Sequence, residues 1–143
     1  MFQPILEHVY RFAASRKEIL AVGICGSWAR NEARPDSDID LSIIVQDKEA
    51  LRSIDWLEVI DFKKINEELD HFRDVNYGRV WSRHVFLKSG LEIEFSFADL
   101  SWADTEELDE GTIKVVKDGY LIIYDPALIL ENLVRKVKSI SNP

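Results

Sequence analysis

The chain has 143 residues, 46% of them hydrophobic and 31% charged. That length and mix fit one globular domain with its own core and exclude a disordered or low-complexity chain. The formal net charge of −8 opposes a phosphodiester backbone, so a dedicated nucleic-acid binder is not expected, while a small nucleotide carried with a divalent cation is compatible with it.

In chain order, Phe2, Ile5, Leu6, Val9, Phe12 and Ala13 recur at helical spacing and predict an N-terminal helix. Pro4 is tolerated in its first turn, and Arg16 and Lys17 are expected in its last, where they suit the dipole. The apolar run from Ile19 to Cys25 predicts a buried strand. Gly26-Ser27 ends it, and a helix is expected to begin close to Ser27. Asp38-Ile39-Asp40 leads into a second strand through Leu41 to Val45. Asp47 is the expected N-cap of a helix through Ala50, Leu51 and Ile54.

From Trp56 to Tyr77, the apolar residues Leu57, Ile60, Ile65, Leu69 and Phe72 sit among many charges, and helix with irregular connection is the expectation. Arg83 to Lys88 and Leu91 to Phe97 are extended runs joined by Ser89-Gly90, a hairpin signal. In the second run Leu91, Ile93, Phe95 and Phe97 share one face, and Glu92, Glu94 and Ser96 share the other. Trp102 to Glu110 is acidic and reads as a short helix or loop. Ile113 to Val116 and Tyr120 to Tyr124, joined by Lys117-Asp118-Gly119, predict a second hairpin. Asp125-Pro126 reads as an N-cap followed by Pro at the first helical position. Leu128, Ile129, Leu133, Val134 and Val137 form the apolar face of the last helix, with Lys136 and Lys138 near its end. Together these elements predict an α/β (α+β) fold, a mixed β-sheet with flanking helices, as a single domain over 1–143.

No apolar run approaches the roughly 20 residues of a membrane-spanning helix. The N-terminus lacks a short basic region ahead of an apolar one, so no signal peptide is expected. The single cysteine, Cys25, has no partner for an internal disulfide. A cytoplasmic protein without membrane association is the expectation.

The chemistry concentrates between Gly26 and Leu41. On a strand, residues two apart share a face, so Ile39 points into the core while Asp38 and Asp40 face one pocket. Two adjacent hard oxygen ligands suit Mg²⁺, and without a cation they repel each other. Gly26 lets backbone approach a phosphate closely, and the Ser27 hydroxyl adds a donor. The isolated readings are blander: an Asp-x-Asp also begins ordinary strands and turns, and a Gly-Ser pair also makes a turn and a cap. A third carboxylate is available on the hairpin. Glu94 lies between Ile93 and Phe95, and Glu92 on the same face is the competing choice.

Gly26-Ser27, ten residues, then Asp38-x-Asp40 resembles the signature of the DNA polymerase β-like nucleotidyltransferase superfamily. The full stretch, Gly-Ser-Trp-Ala-Arg-Asn-Glu-Ala-Arg-Pro-Asp-Ser-Asp-Ile-Asp-Leu, resembles its small bacterial and archaeal members. Those are the minimal nucleotidyltransferases and the aminoglycoside adenylyltransferases. Members usually carry Gly where Asn31 stands, and Asn tolerates the left-handed geometry such a turn requires. The resemblance implies transfer of a nucleoside monophosphate, AMP from ATP, to a hydroxyl acceptor by two-metal-ion catalysis. It implies Mg²⁺ held by Asp38, Asp40 and Glu94, and a triphosphate gripped at Gly26 and Ser27, with Arg30 or Arg34 as further phosphate contacts. It also implies an alternative, an antitoxin-type protein that acts on or binds a HEPN-type partner. Larger relatives carry an extra helical domain over the substrate, so a partner or a homodimer would complete the pocket here.

Cys25 lacks an acid–base pattern to activate it and is expected as a buried strand-end thiol. His8, His71 and His84 lack metal spacing, although His84 on the hairpin is placed to face the site. Trp28, Trp56, Trp81 and Trp102 are expected in packing, with Trp28 also beside the nucleotide pocket. Tyr77-Gly78-Arg79 is a candidate acceptor loop.

Overall fold

The computed structural model describes residues 2–34 and 37–141. Pro35 and Asp36, in the middle of the Gly26–Leu41 stretch, and the Phe2 side chain expected on the first helical stripe lie outside the described residues. Six strands, β1 (Ile19–Cys25), β2 (Ile39–Val45), β3 (Leu69–Asn76), β4 (Trp81–Leu87), β5 (Glu92–Ala98) and β6 (Tyr120–Tyr124), form one sheet in the order β3-β4-β5-β2-β1-β6. β2 and β5 run parallel, and the other neighbouring pairs are antiparallel. Four helices flank the sheet: α1 (Phe2–Ser15), α2 (Asp55–Val59), α3 (Glu110–Lys117) and α4 (Ile129–Ser141). This is the mixed sheet with flanking helices that the sequence predicts. No helix among the described residues is long and apolar enough to cross a membrane.

Alternation along the strands divides the core in two. On one face Val22, Ile24, Leu41, Ile43, Phe95 and Phe97 meet Ile5, Val9 and Phe12 of α1 and Trp56 of α2. Trp56 is fully enclosed, and its indole donates to the Leu51 carbonyl at 2.8 Å. On the other face Ala21, Ile44 and Ala98 pack under Val116 of α3 and Leu130, Leu133 and Val137 of α4. That cover spans only half of the face. Moving along it, Ile44 gives way to Ser42 and Asp40 on β2, and Ala98 gives way to Ser96, Glu94 and Glu92 on β5. At the boundary the Tyr120 ring lies against Gly23, where a Cβ would stand 2.5 Å from the ring.

Several elements depart from the expectation. α1 stops at Ser15, whose hydroxyl donates to the Phe12 carbonyl at 2.8 Å, so Arg16 and Lys17 lie beyond the helix. Near Ser27 there is only one 3₁₀ turn, Gly26–Trp28, not a helix. Asp47 does not cap a helix through Ala50, Leu51 and Ile54. It accepts from the Glu49 N–H at 3.0 Å in a turn, and α2 begins at Asp55. The segment expected as helix before Tyr77 contains strand β3. It is an exposed edge strand, so its apolar residues Leu69, Phe72 and Val75 do not alternate.

Residues 113–116, expected as a strand, belong to α3. There Asp109 caps the Gly111 N–H at 3.0 Å, and Thr112 and Val116, one helical turn apart, are buried. β6 therefore pairs with β1, not with a hairpin partner. α4 starts at Ile129, later than Asp125-Pro126 suggests, yet Asp125 still caps it by accepting from the Leu130 and Glu131 N–H groups at 3.1 and 2.8 Å. Leu128 sits at φ 59° and is exposed, and Leu130 takes its place on the buried face.

Candidate active site

The uncovered half of the second sheet face is polar because four strands contribute one row of chemically active side chains. Cys25 on β1 is opposite Asp40 on β2, Asp40 is beside Glu94 on β5, and Glu94 is opposite His84 on β4. The next row inward carries Ser42, Ser96 and Ser82, and the Ser82 and Ser96 hydroxyls hydrogen-bond at 2.7 Å. Ser96 also donates to Glu94 Oε1 at 3.4 Å.

Asp40 and Glu94 are register neighbours on parallel strands, and two carboxylates side by side repel each other unless one carries a proton. The Asp40 pKa is accordingly pushed up to about 7, chiefly by burial, then by the charge and hydrogen bond of Glu94, and further by Asp38 and Glu92. The Cys25 thiol is pushed up to about 12 by burial and by the charges of Asp40 and Glu94. It stays protonated and is no nucleophile.

His84 is buried and tied to both glutamates. Nδ1 lies 3.1 Å from Glu92 Oε2, and Nε2 lies 3.7 Å from Glu94 Oε1. Among the described residues, one ligand atom each from His84, Glu92 and Glu94 falls within 4.8 Å of the others. Asp38 precedes β2, is exposed, and adds its charge to the field on Asp40. The structure thus brings Asp40 and Glu94 into direct contact, surrounds them with Glu92 and His84, and sets Asp38 at the rim.

Gly26 borders the same carboxylates. It has φ +77°, a conformation that side chains rarely adopt, and a Cβ there would stand a tight 3.3 Å from Asp40 Oδ2. The carbonyls of the Gly26–Trp28 turn accept from the Arg30, Asn31 and Glu32 N–H groups. Asn31 takes φ 60°, the left-handed geometry expected of it. Trp28 packs against the first core and donates to the Ser37 carbonyl at 3.0 Å, which closes the loop after the turn.

The two arginines differ. Arg30 donates from Nη1 to the Asp118 carbonyl at 2.8 Å and packs on Gly119, so it staples the turn to the α3–β6 connection. Arg34 is exposed, with its N–H donating to Ser37 Oγ at 2.8 Å. Arg83, adjacent to His84 in sequence, points the opposite way into the core.

The sequence singles out Asp40, Glu94 and Glu92, and names His84 on the hairpin as able to face the site, but not its contact with both glutamates. The signal for His84 lies in the hairpin register. The turn closes from Leu87 to Leu91, with Gly90 at φ +98°, so its loop is Lys88-Ser89-Gly90. A two-residue Ser89-Gly90 loop would have set His84 opposite Phe95 and Arg83 opposite Ser96.

A family model described as "Polymerase beta, Nucleotidyltransferase" matches residues 7–90, more than half of the chain and both halves of the Gly26–Leu41 motif. The match ends before Glu94. No curated protein matches the chain in sequence. Among solved structures, an aminoglycoside 6-adenyltransferase from Bacillus subtilis is similar with a TM-score of 0.51 and 16% identity, over 68% of this chain and 35% of that one. The chain therefore spans about a third of that enzyme's length, and the likeness is one of fold. A toxin-antitoxin structure with AMP-PNP is similar at a TM-score of 0.49 and 12% identity, over 95% of this chain and 86% of that one.

Proposed function

Since the chain belongs to the polymerase β nucleotidyltransferase family, we propose that it transfers a nucleoside monophosphate, AMP from ATP, to a hydroxyl acceptor. The observation that carries this reading is the contact of Asp40 with Glu94 against the Gly26 turn. Two carboxyls at neighbouring register positions are a hard-oxygen donor set that fits a divalent cation such as Mg²⁺. Asp38, Asp40 and Glu94 are the residues that would hold it. When bound, the cation supplies charge neutralisation for the triphosphate and the reacting oxygens.

The chain's own groups do the rest. The Gly26–Trp28 turn presents N–H groups and the Ser27 hydroxyl to phosphate oxygens, and the missing Gly26 side chain allows close approach. Ser96 and Ser82 hold Glu94 in its rotamer. The cover of α3 and α4 packs on Ala21, Ile44 and Ala98 at the inner end of the same face, and catalysis rests on placement and charge rather than on covalent chemistry. Of the two arginines, Arg34 is the one left for a phosphate contact, because Arg30 is engaged at Asp118.

The test is incubation of the chain with labelled ATP, Mg²⁺ and candidate acceptors, alongside Asp40→Asn. We expect transfer by the wild type and loss of at least about a hundredfold in the variant, the scale of a removed charge-stabilising group. Unchanged turnover in Asp40→Asn with an intact fold would refute the reading.

A further inference from the structure

Tyr77 opens the turn between β3 and β4, and its ring is 59% exposed. Such a ring gains little from burial, yet its hydroxyl is held at a defined point, 3.3 Å from His84 Nε2. On the far side of the imidazole, Nδ1 is 3.1 Å from Glu92 Oε2. In the tautomer whose Nδ1–H donates to that carboxylate, the Nε2 lone pair faces the Tyr77 O–H. Carboxylate, imidazole and hydroxyl in that sequence form the arrangement that activates a hydroxyl nucleophile: a base within hydrogen-bond reach, oriented by a third group.

The turn itself is anchored. The Tyr77 N–H donates to the Val80 carbonyl at 2.8 Å, the Gly78 N–H donates to Asn76 Oδ1 at 2.9 Å, and Lys48 Nζ donates to the Gly78 carbonyl at 3.0 Å. His84 is also the strand neighbour of Glu94, so the hydroxyl is delivered to the edge of the carboxylate site.

We propose that Tyr77 is an acceptor for the chain's own transfer reaction, so that the protein adenylylates itself on the Tyr77 hydroxyl. This rests on the nucleotidyltransferase reading above. Tyr77 Oη attacks the α-phosphorus of ATP. The Oη–P bond forms as the bond from the α-phosphorus to the bridging oxygen of the β-phosphate breaks, and pyrophosphate departs with that electron pair. The phenolic proton passes to His84 Nε2, where Glu92 and Glu94 offset the imidazolium charge. The product carries AMP in a phosphodiester to Tyr77, and the exposed ring leaves room for it.

The experiment incubates the full chain with Mg²⁺ and labelled ATP, denatures it, and reads intact mass and fragment spectra. We expect one adenylyl group per chain, mapped to Tyr77, absent in Tyr77→Phe, and formed about a hundredfold or more slowly in His84→Gln. Phe keeps the exposed ring, and circular dichroism checks the fold of both variants. Label on another residue, or equal labelling of Tyr77→Phe, overturns the proposal. An unlabelled wild-type chain that still releases pyrophosphate and transfers AMP to an added acceptor overturns the proposal and leaves the nucleotidyltransferase reading standing. A wild-type chain that neither transfers AMP nor binds ATP with Mg²⁺ overturns both.

Discussion

Asp40 shows how one residue links fold, charge and function. Its carboxyl is crowded by burial, by Glu94, and by the charges of Asp38 and Glu92, so the folded chain binds its proton more tightly than the unfolded chain does. The sign follows from linkage. A folded pKa raised from 3.8 to about 7 gives stability that is fully present below the unfolded value and lost as pH rises through about 7. Without divalent cation, the melting temperature should therefore fall between about pH 4 and pH 7, and Asp40→Asn should flatten that part of the profile. A divalent cation replaces the proton, so Mg²⁺ should raise the melting temperature most above pH 7. Thermal melts across pH with and without Mg²⁺ check this, and an Asp40→Asn profile as steep as the wild type would contradict it. The sequence carried this residue plainly, because a glycine-turn and an Asp-x-Asp on a strand are local patterns. It did not carry the raised pKa of Asp40, since that depends on burial and on Glu94, a neighbour supplied by another strand.

Among the elements, β3 and β4 are held by a charged group that alternation places on the buried face, between Trp81 and Val85. The Arg83 side chain is 1% exposed and chelates Asp74 of β3 through Nε and Nη2 at 2.8 and 3.0 Å. It also donates to the Ser53 and Arg52 carbonyls, both at 2.8 Å, and its guanidinium lies over Trp56, Phe72 and Trp81. One side chain thus fixes the edge strand, the hairpin strand and the loop before α2.

Arg83→Ala should cost about 3 kcal/mol, the lower end of the range for breaking a buried pair, because Asp74 keeps some solvent contact. Arg83→Lys should lose part of that, since one ammonium cannot serve a carboxylate and two carbonyls in the same geometry. Denaturant midpoints decide it, and an Arg83→Ala variant as stable as the wild type would remove this account. β3 was invisible as a strand because an exposed edge has no buried face to impose alternation. α3 was misread because Ile113, Val115 and Val116 favour strands, while the Asp109 cap and the burial of Thr112 with Val116 select a helix.

At the scale of the molecule, the two faces of the sheet have different work. One packs against α1, α2 and the segment carrying Phe62 and Ile65, and the other is shared between the α3–α4 cover and the polar site. Leu133 is fully buried at the centre of that cover. Leu133→Ala should lower stability by about 2–5 kcal/mol through lost transfer energy and a cavity. It should also loosen the support beneath the serine row, so transfer should fall at temperatures where the fold still persists. Calorimetry paired with an activity series in temperature tests this, and a loss under about 1 kcal/mol would show that the face does not depend on α4.

The sequence by itself determined the glycine turn at Gly26 and the strand that follows Asp38, the left-handed Asn31, the division of β5 into apolar and acidic faces, and the mixed α+β class. Each is written in turn chemistry or period-two alternation within a short stretch of chain. Only the tertiary structure decided that β2 lies parallel to β5 with Asp40 beside Glu94, that His84 and not Arg83 faces the site, and that the Tyr77 hydroxyl reaches His84. Those outcomes depend on strand order, on one residue of hairpin register, and on packing between segments distant in the chain, none of which leaves a periodic trace in the sequence.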